Sequence, residues 1–500
     1  MSTIRFNNLP SDILFELFGY LELQDIFAVE QVSRHLRTLI RSSRAIWLSV
    51  TATLGKELPL PYPPLRPHSS LQTLELRDVA LRSLILDRSW RSKVTKPARQ
   101  PRLLEFPETK NEKVSMLRLL PGAKQVLTVT NNGGLACWDV RTGILLSQWH
   151  HGGVKLESLD VDVCHADQGL HFMLAVSIEH HYQIENQIYP THRLYAVRIE
   201  ILDDTDVPGE GARFVPVAET CWQMPFYIVS IEGDIVAAYS CELDQQPIPQ
   251  PLATFIVCIM NWQNKTAAMV QIPVEVIGFW SWPTMQVLDQ RIILHEERRD
   301  LPAVCVFRVP DVLYPIFHNV AAPQVSFQPT VIHTGGEQLQ PDNEEEGMYQ
   351  TRFSKLWRNP DAPTGSRKLS ILGVSHIGDN TGQHKVIVRT FDPFPDTETL
   401  QTSLPVQYLW HKHGSRFPRD PEHGILFTFC LGRYGSRPIW IEEHDQCRKL
   451  MGLTTHLGEP KEIQIQGYMD ILSARFLDWD DAEGTLCFLD AKGLWVVEFL

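Results

Sequence analysis

From residue 102 to residue 500 the chain repeats one pattern: four to eight apolar residues, then a short stretch of Gly, Asn, Asp or Pro. Runs of that length bounded by turn residues read as strands, and their recurrence reads as an all-β architecture. The clearest unit is Gln125–Thr130, Asn131-Asn132-Gly133-Gly134, Leu135–Val140, Arg141-Thr142-Gly143 and Ile144–Trp149: three strands joined by two tight turns. Asn-Gly is the strongest short hairpin signal, because both central positions of the favoured turn need a positive φ. Comparable third strands are expected at 193–199, 255–262, 303–309, 385–391, 437–443 and 485–490, seven with the first. A final meander runs through 472–479, 485–490 and 494–499. Closing such sheets into a ring hides edges that an open sheet would expose. Seven units point to a seven-bladed propeller over 102–500, with the excess residues in loops, the longest near 318–366. A β-sandwich, or a ring of six or eight blades, is the alternative this pattern leaves open.

Five hundred residues exceed one ordinary domain. The net charge of -13 is unevenly spread: residues 1–100 hold 14 Lys and Arg against 9 Asp and Glu, and the rest holds 32 against 50. An acidic body argues against broad nucleic-acid binding, which needs a basic face. The nine cysteines, 137, 164, 221, 241, 258, 305, 430, 447 and 487, form no CxxC pair. Scattered and odd in number, they read as reduced thiols of an intracellular protein, in cytoplasm or nucleus. Polar residues Arg5, Asn7, Asn8 and Asp12 break any signal-peptide core. The longest apolar run is far short of the ~20 residues a membrane-spanning helix needs, so no membrane partner is expected.

The first fifty residues change period. In 9–21 (LPSDILFELFGYL) Ser11 or Asp12 is placed to cap a helix, and Ile13, Leu14, Leu17, Phe18 and Leu21 follow at the spacing of one helical face. Gly19 predicts that this helix stops near Tyr20. A second helix fits 23–31, with Asp25 in its first turn and Ile26 and Val29 on one side. A third fits 33–41, capped by Ser33, with Leu36, Leu39 and Ile40 inside; Trp47 follows. So small a helical unit seldom completes a core, and its apolar surplus needs a partner.

This stretch resembles the F-box. Leu9-Pro10, the aliphatic series Ile13-Leu14-Leu17-Leu21, the acidic-aliphatic pair Asp25-Ile26, the step Val32-Ser33-Arg34 with Leu36, and Trp47 follow the family pattern in order. Leu36 stands where many members carry Trp. The resemblance implies docking to a Skp-type adaptor held by a cullin scaffold, through Leu9, Pro10, Ile13, Leu14, Leu17, Leu21, Ile26, Val29, Val32, Leu36 and Trp47. An internal helical cap on the domain behind is the plainer alternative. Residues 135–143 (LACWDVRTG) similarly resemble the end of a WD-repeat blade, with Trp138-Asp139 as the name-giving pair. The upstream Gly-His pair is missing, and Asn131-Asn132 occupy a turn where the family often has Asp.

Between the two lies a linker, 51–101. Five prolines in 56–67 (KELPLPYPPLRP) forbid regular helix. Residues 69–90 regain a helical look, with Leu71, Leu74, Leu81 and Ile85 on one side, before the basic run Arg88, Arg91, Lys93, Lys96, Arg99 and Arg102.

Chemistry is scarce. No phosphate-binding GxxxxGK[ST] occurs, and 373–378 (GVSHIG) is one residue too long for a nucleophile elbow. His295-Glu296 has Arg299 where a zinc helix needs its second His, and 478–484 (DWDDAEG) has Glu483 where a calcium loop needs Gly. His150-His151, His180-His181 and His411 with His413 lack a third ligand at metal spacing. No cofactor and no catalytic residue is expected. The F-box resemblance then implies the substrate receptor of a Skp/cullin/F-box ubiquitin ligase, its propeller holding an unidentified target protein through residues the sequence does not reveal. The alternative is a scaffold whose bound proteins are not degraded; an enzyme built on the propeller would need clustered carboxylates or a nucleophile that no motif supplies.

Overall fold

The computed structural model describes residues 9–55, 58–92, 94–104, 113–166, 169–184, 187–202, 211–243, 253–272, 284–288, 290–297, 302–316, 324–326, 330–332, 347–353, 369–376, 384–391, 419–420, 424–425, 429–432, 434–444, 447–453, 461–465, 474, 476–490 and 492–500. Helices come first and strands follow. The helices are α1 (Ser11–Gly19), α2 (Leu23–Val32), α3 (Arg34–Ser42), α4 (Arg44–Leu54) and α5 (Thr73–Arg91). Ser33 caps α3 as expected, its hydroxyl accepting from Leu36 N at 3.2 Å. The start of α1 differs: Pro10 occupies the N-cap, with no side-chain cap, and Ser11 already lies in the first turn. Trp47 sits on α4, a helix the periodicity did not reveal, and donates its indole N–H to Ile40 O at 2.9 Å.

The strands form five four-stranded sheets, one of six strands, one of three and a two-stranded hairpin among the described residues. Most are meanders that pair each strand with the next, as in the 114–149 sheet (Val114–Leu119, Gln125–Thr130, Leu135–Asp139, Leu145–Trp149) and the 155–222 sheet (Lys155–Ala166, Gly169–Ile184, Gln187–Ile201, Ala212–Trp222). The first strand of each such sheet has a bare edge, and neighbouring sheets cover it in one consistent way. Ser158 Oγ and Asp160 Oδ2 accept from Val229 N (3.2 Å) and Ile231 N (3.0 Å) on Phe226–Glu232. Ser230 Oγ accepts from Val287 N at 3.0 Å on Thr284–Leu288. Asp478 Oδ2, on Phe476–Asp480 near the C-terminus, accepts from Leu119 N at 2.6 Å in the 114–149 sheet. A polar side chain on one inner strand thus satisfies backbone N–H groups of the next, where burial would otherwise orphan them. The last link joins the end of the chain to its beginning, which is the closure a propeller requires.

Backbone pairing completes the closure. Arg102–Leu104 pairs antiparallel with Leu494–Val496 as the outermost strand of the C-terminal sheet. This corrects two of the expected third strands. Thr485–Leu489 is the second strand of its sheet, because the fourth comes from the front of the chain. Ile439–His444 is also second, after a first strand of only two residues, Phe429–Cys430, too short to read by periodicity. Cys137, Cys164, Cys221, Cys241, Cys258, Cys430 and Cys487 are free thiols, and burial pushes Cys137 up to about 12. No described helix is long and apolar enough to cross a membrane.

The segment after α4 is packed rather than loose. Pro59, Leu60, Pro61 and Tyr62 are buried. On α5, Leu76, Val79, Ala80 and Leu84 join the core of the N-terminal helices, while Leu86 and Trp90 enter the core of the C-terminal sheets. Of the residues expected on one side of this helix, Leu74 and Ile85 share the side that points to solvent, while Leu71 lies before the helix start and is buried. The buried stripe includes Ser83 and Asp87, which a search for apolar residues passes over.

Candidate adaptor-docking surface

The buried residues of helices α1–α4 join one core with α5 and with the 114–149 and 155–222 sheets. Leu14 and Phe18 of α1, Leu23 and Ile26 of α2, Leu36 and Ile40 of α3, and Ile46, Trp47 and Val50 of α4 are all buried in it. A buried carboxylate fastens it: Glu30 at the end of α2 pairs with Arg41 of α3 and, at 3.3 Å, with Arg77 of α5. Arg77 also lies over the rings of Phe27 and Trp47, 5.4 and 5.9 Å from their centroids. Such stacking adds to the ion pair where the guanidinium is partly desolvated.

The residues expected to meet an adaptor therefore divide. Leu14, Ile26, Leu36 and Trp47 are inside the unit, with no exposed surface. Leu9, Leu21 and Val29 are partly buried against the same core. Pro10, Ile13, Leu17 and Val32 are exposed, with Ile13 and Leu17 42% and 40% accessible. Tyr20, absent from the expected set, is exposed beside them in sequence. Ile13 and Leu17 share one side of α1 by their four-residue spacing, and Tyr20, its C-cap, follows three residues on. Leu14 and Phe18 occupy the other side, so α1 carries apolar residues on both sides. That doubling was the legible signal for Tyr20: an aromatic residue in step with Ile13 and Leu17.

Among the described residues, four inner strands carry a bulge near their start. The extra residues are Ser115, Glu157, Tyr227 and Tyr349. A bulge re-aims the side chain it carries. Glu157 accepts from Ser177 Oγ and pairs with His192 Nδ1, each at 3.0 Å, while Tyr227 stays exposed. Arg118 follows on the same inner strand as Ser115, 3.7 Å from Asp478. Burial opposes its charge, but Asp478 and Asp160 from the flanking sheets hold the guanidinium above its ordinary range.

The WD-like unit is half assembled. Trp138 Nε1 donates to Thr128 Oγ1 at 2.9 Å, and Asp139 caps the following turn by accepting from Thr142 N at 2.6 Å. The 478–484 stretch is a strand end and turn, in which Asp480 accepts from Ala482 N and Glu483 N. Among the described residues no group of three His, Cys, Asp or Glu could hold a metal. His411 and His413 lie outside the described residues.

Residues 6–52 match the F-box-like family model, a span that takes in α1 to α3 and most of α4. The N-terminal unit is an F-box-like domain. A comparison with curated proteins finds no sequence match. Among solved structures, the β-propeller domain of Myceliophteria thermophila Cps50 (Swd1) is 10% identical, with a TM-score of 0.39 over 79% of this chain and 98% of that one. The C-terminal WD40 domain of Sif2 is 11% identical, with a TM-score of 0.36 over 79% of this chain and 83% of that one. The propeller reading rests on the sheets, their inner-strand contacts and their closure. The F-box-like domain packs its core residues inward and leaves Pro10, Ile13, Leu17, Tyr20 and Val32 outside.

Proposed function

We propose that this chain is the substrate-receptor subunit of a Skp/cullin/F-box ubiquitin ligase. The observation that carries this reading is the exposed apolar set at α1, left over after the other apolar residues of the helices are buried against one another, α5 and the first two sheets. Pro10, Ile13 and Leu17 form the centre of the adaptor contact, with Tyr20 and Val32 as flanks and Leu9, Leu21 and Val29 as half-buried support. Leu14, Ile26, Leu36 and Trp47 hold the helices that present it. Burying an exposed Ile or Leu contributes roughly 1.5–3 kcal/mol, so a handful supports stable association. The chain supplies no reacting group. It works by holding a target beside the conjugating enzyme that the cullin scaffold brings, which raises effective concentration. The target surface is the ring end where Ser115, Glu157 and Tyr227 bulge.

The test is capture of a Skp-type adaptor by the full-length chain and by Ile13→Asp/Leu17→Asp. Both positions are exposed, so the variant should unfold at the wild-type temperature yet lose the adaptor. A folded variant that still captures it at wild-type affinity refutes the proposal.

A further inference from the structure

The stripe on α5 that points to solvent is self-complementary. In order it carries Asp78, Leu81, Ile85 and Arg88, spaced three, four and three residues apart. That spacing keeps all four on one side of a helix, opposite the buried Leu76, Val79, Ala80, Ser83, Leu86, Asp87 and Trp90. Leu74, one turn further toward the N-terminus, extends the stripe. Leu74 and Ile85 are 64% and 46% exposed, Leu81 is half-buried, and Asp78 and Arg88 are exposed. Asp78 and Arg88 have no ion-pair partner among the described residues. The neighbouring charges do: Arg77 with Glu30, Arg82 with Glu483, Asp87 with Arg91.

Read backwards, the pattern is base, apolar, apolar, acid. Two copies of α5 laid antiparallel about a two-fold axis near Ser83 therefore set Asp78 against Arg88 of the second copy and Leu81 against Ile85. Each contact occurs twice. An isologous interface needs a patch complementary to itself under that rotation, and few helical surfaces meet the condition. We infer that α5 is a self-association surface and that its occupant is a second copy of this chain. Asp78 to Arg88 spans about 15 Å of helix. A contact that short lies at the small end of specific interfaces, so the dimer forms reversibly with concentration.

Sedimentation of the full-length chain over a concentration series tests this. The wild type should show a monomer–dimer equilibrium. Asp78→Arg makes the stripe basic at both ends and Arg88→Asp makes it acidic at both ends, so each alone should dissociate about tenfold more readily. An equimolar mixture of the two variants should recover wild-type affinity as a heterodimer, because each supplies what the other lacks. Ile85→Ser should abolish association, with thermal unfolding of every variant checked against wild type. Three outcomes overturn the inference: a wild type monomeric at all concentrations, whether another segment or another protein covers the stripe; a dimer indifferent to the single reversals; or a mixture that associates no better than its components.

Discussion

His180 lies where the 155–222 sheet meets the end of the 114–149 sheet. Its Nε2 is 3.2 Å from Tyr195 Oη, and its ring is near His151, which in turn packs against Trp149. Burial first, then the charge of Arg193 and of His151, pushes its pKa down to about 4, while Glu219 opposes weakly. The unfolded chain binds this proton near the ordinary value of 6.5. The folded state thus gains stability from a neutral His180 above that value, and loses it as pH falls from 6.5 toward 4. His180→Gln keeps an acceptor for the Tyr195 hydroxyl but cannot titrate. It should lose less stability than wild type between pH 7 and pH 4.5, by on the order of 1–2 kcal/mol at so incompletely buried a site. Paired denaturant unfolding curves at the two pH values give that difference directly, and equal losses would show that His180 is not the titrating group. The sequence showed the histidine pairs and the absence of a metal pattern. It did not show the aromatic cluster around them, because Trp149, Tyr195 and Phe214 come from three strands brought together only by adjacent sheets.

At the scale of elements, α5 does more than its sequence announced. Its N-terminal half closes the F-box-like core and its C-terminal half closes the last sheets, where Trp90 packs on Trp479 and Phe499. Asp87 and the fully buried Arg437 face each other at 3.9 Å across this contact, and Arg82 pairs with Glu483. Burial pulls Arg437 down to about 10 despite Asp481 and Asp87. The fit leaves no spare room at Gly452, where an added Cβ would stand 2.6 Å from Trp90 and 2.7 Å from Ile463. The Ile463 contact is a terminal methyl that can turn, but the Trp90 ring is rigid and wedged against Trp479 and Phe499. Gly452→Ala should therefore destabilise the protein by about 1–3 kcal/mol through overpacking, read as a fall in unfolding midpoint and as faster proteolysis after Arg91. A wild-type midpoint would mean that Trp90 has somewhere to go. The helix itself was legible from its leucines, but its orientation was not. Leu71, Leu74, Leu81 and Ile85 satisfy helical spacing well, whereas the true inner face mixes Ala80, Ser83 and Asp87 among larger residues. Those small and polar residues are buried because two separate cores press on one helix.

For the molecule as a whole, the fold class was legible because it rests on repetition: strand-length runs and Asn-Gly or Thr-Gly turns need no knowledge of tertiary contacts. The α1–α3 unit was legible for the opposite reason, a dense ordered motif in few residues. What sequence could not supply was closure, since it pairs residues nearly four hundred positions apart. Arg102–Leu104 has no periodicity to speak of, and only its partner Leu494–Val496 makes it a strand. Successive residues of that strand face opposite ways. Leu104 turns inward to a core with Val114, Leu489, Leu494 and Val496, while Leu103 faces largely outward. If this pairing latches the ring, the two neighbours should differ sharply. Leu104→Asp puts a carboxylate into the seam and should cost about 3 kcal/mol or more, while Leu103→Asp should stay within about 1 kcal/mol. Because an open ring bares edges on both sides of the break, the loss should not stay local. Tryptophan fluorescence, reporting on Trp138 in one flanking sheet and Trp479 and Trp495 in the other, should show a single transition shifted as a unit for Leu104→Asp. A variant that frays only at the terminal strand, leaving that transition where it was, would mean that the side-chain links from Asp478 to the 114–149 sheet suffice to keep the ring shut.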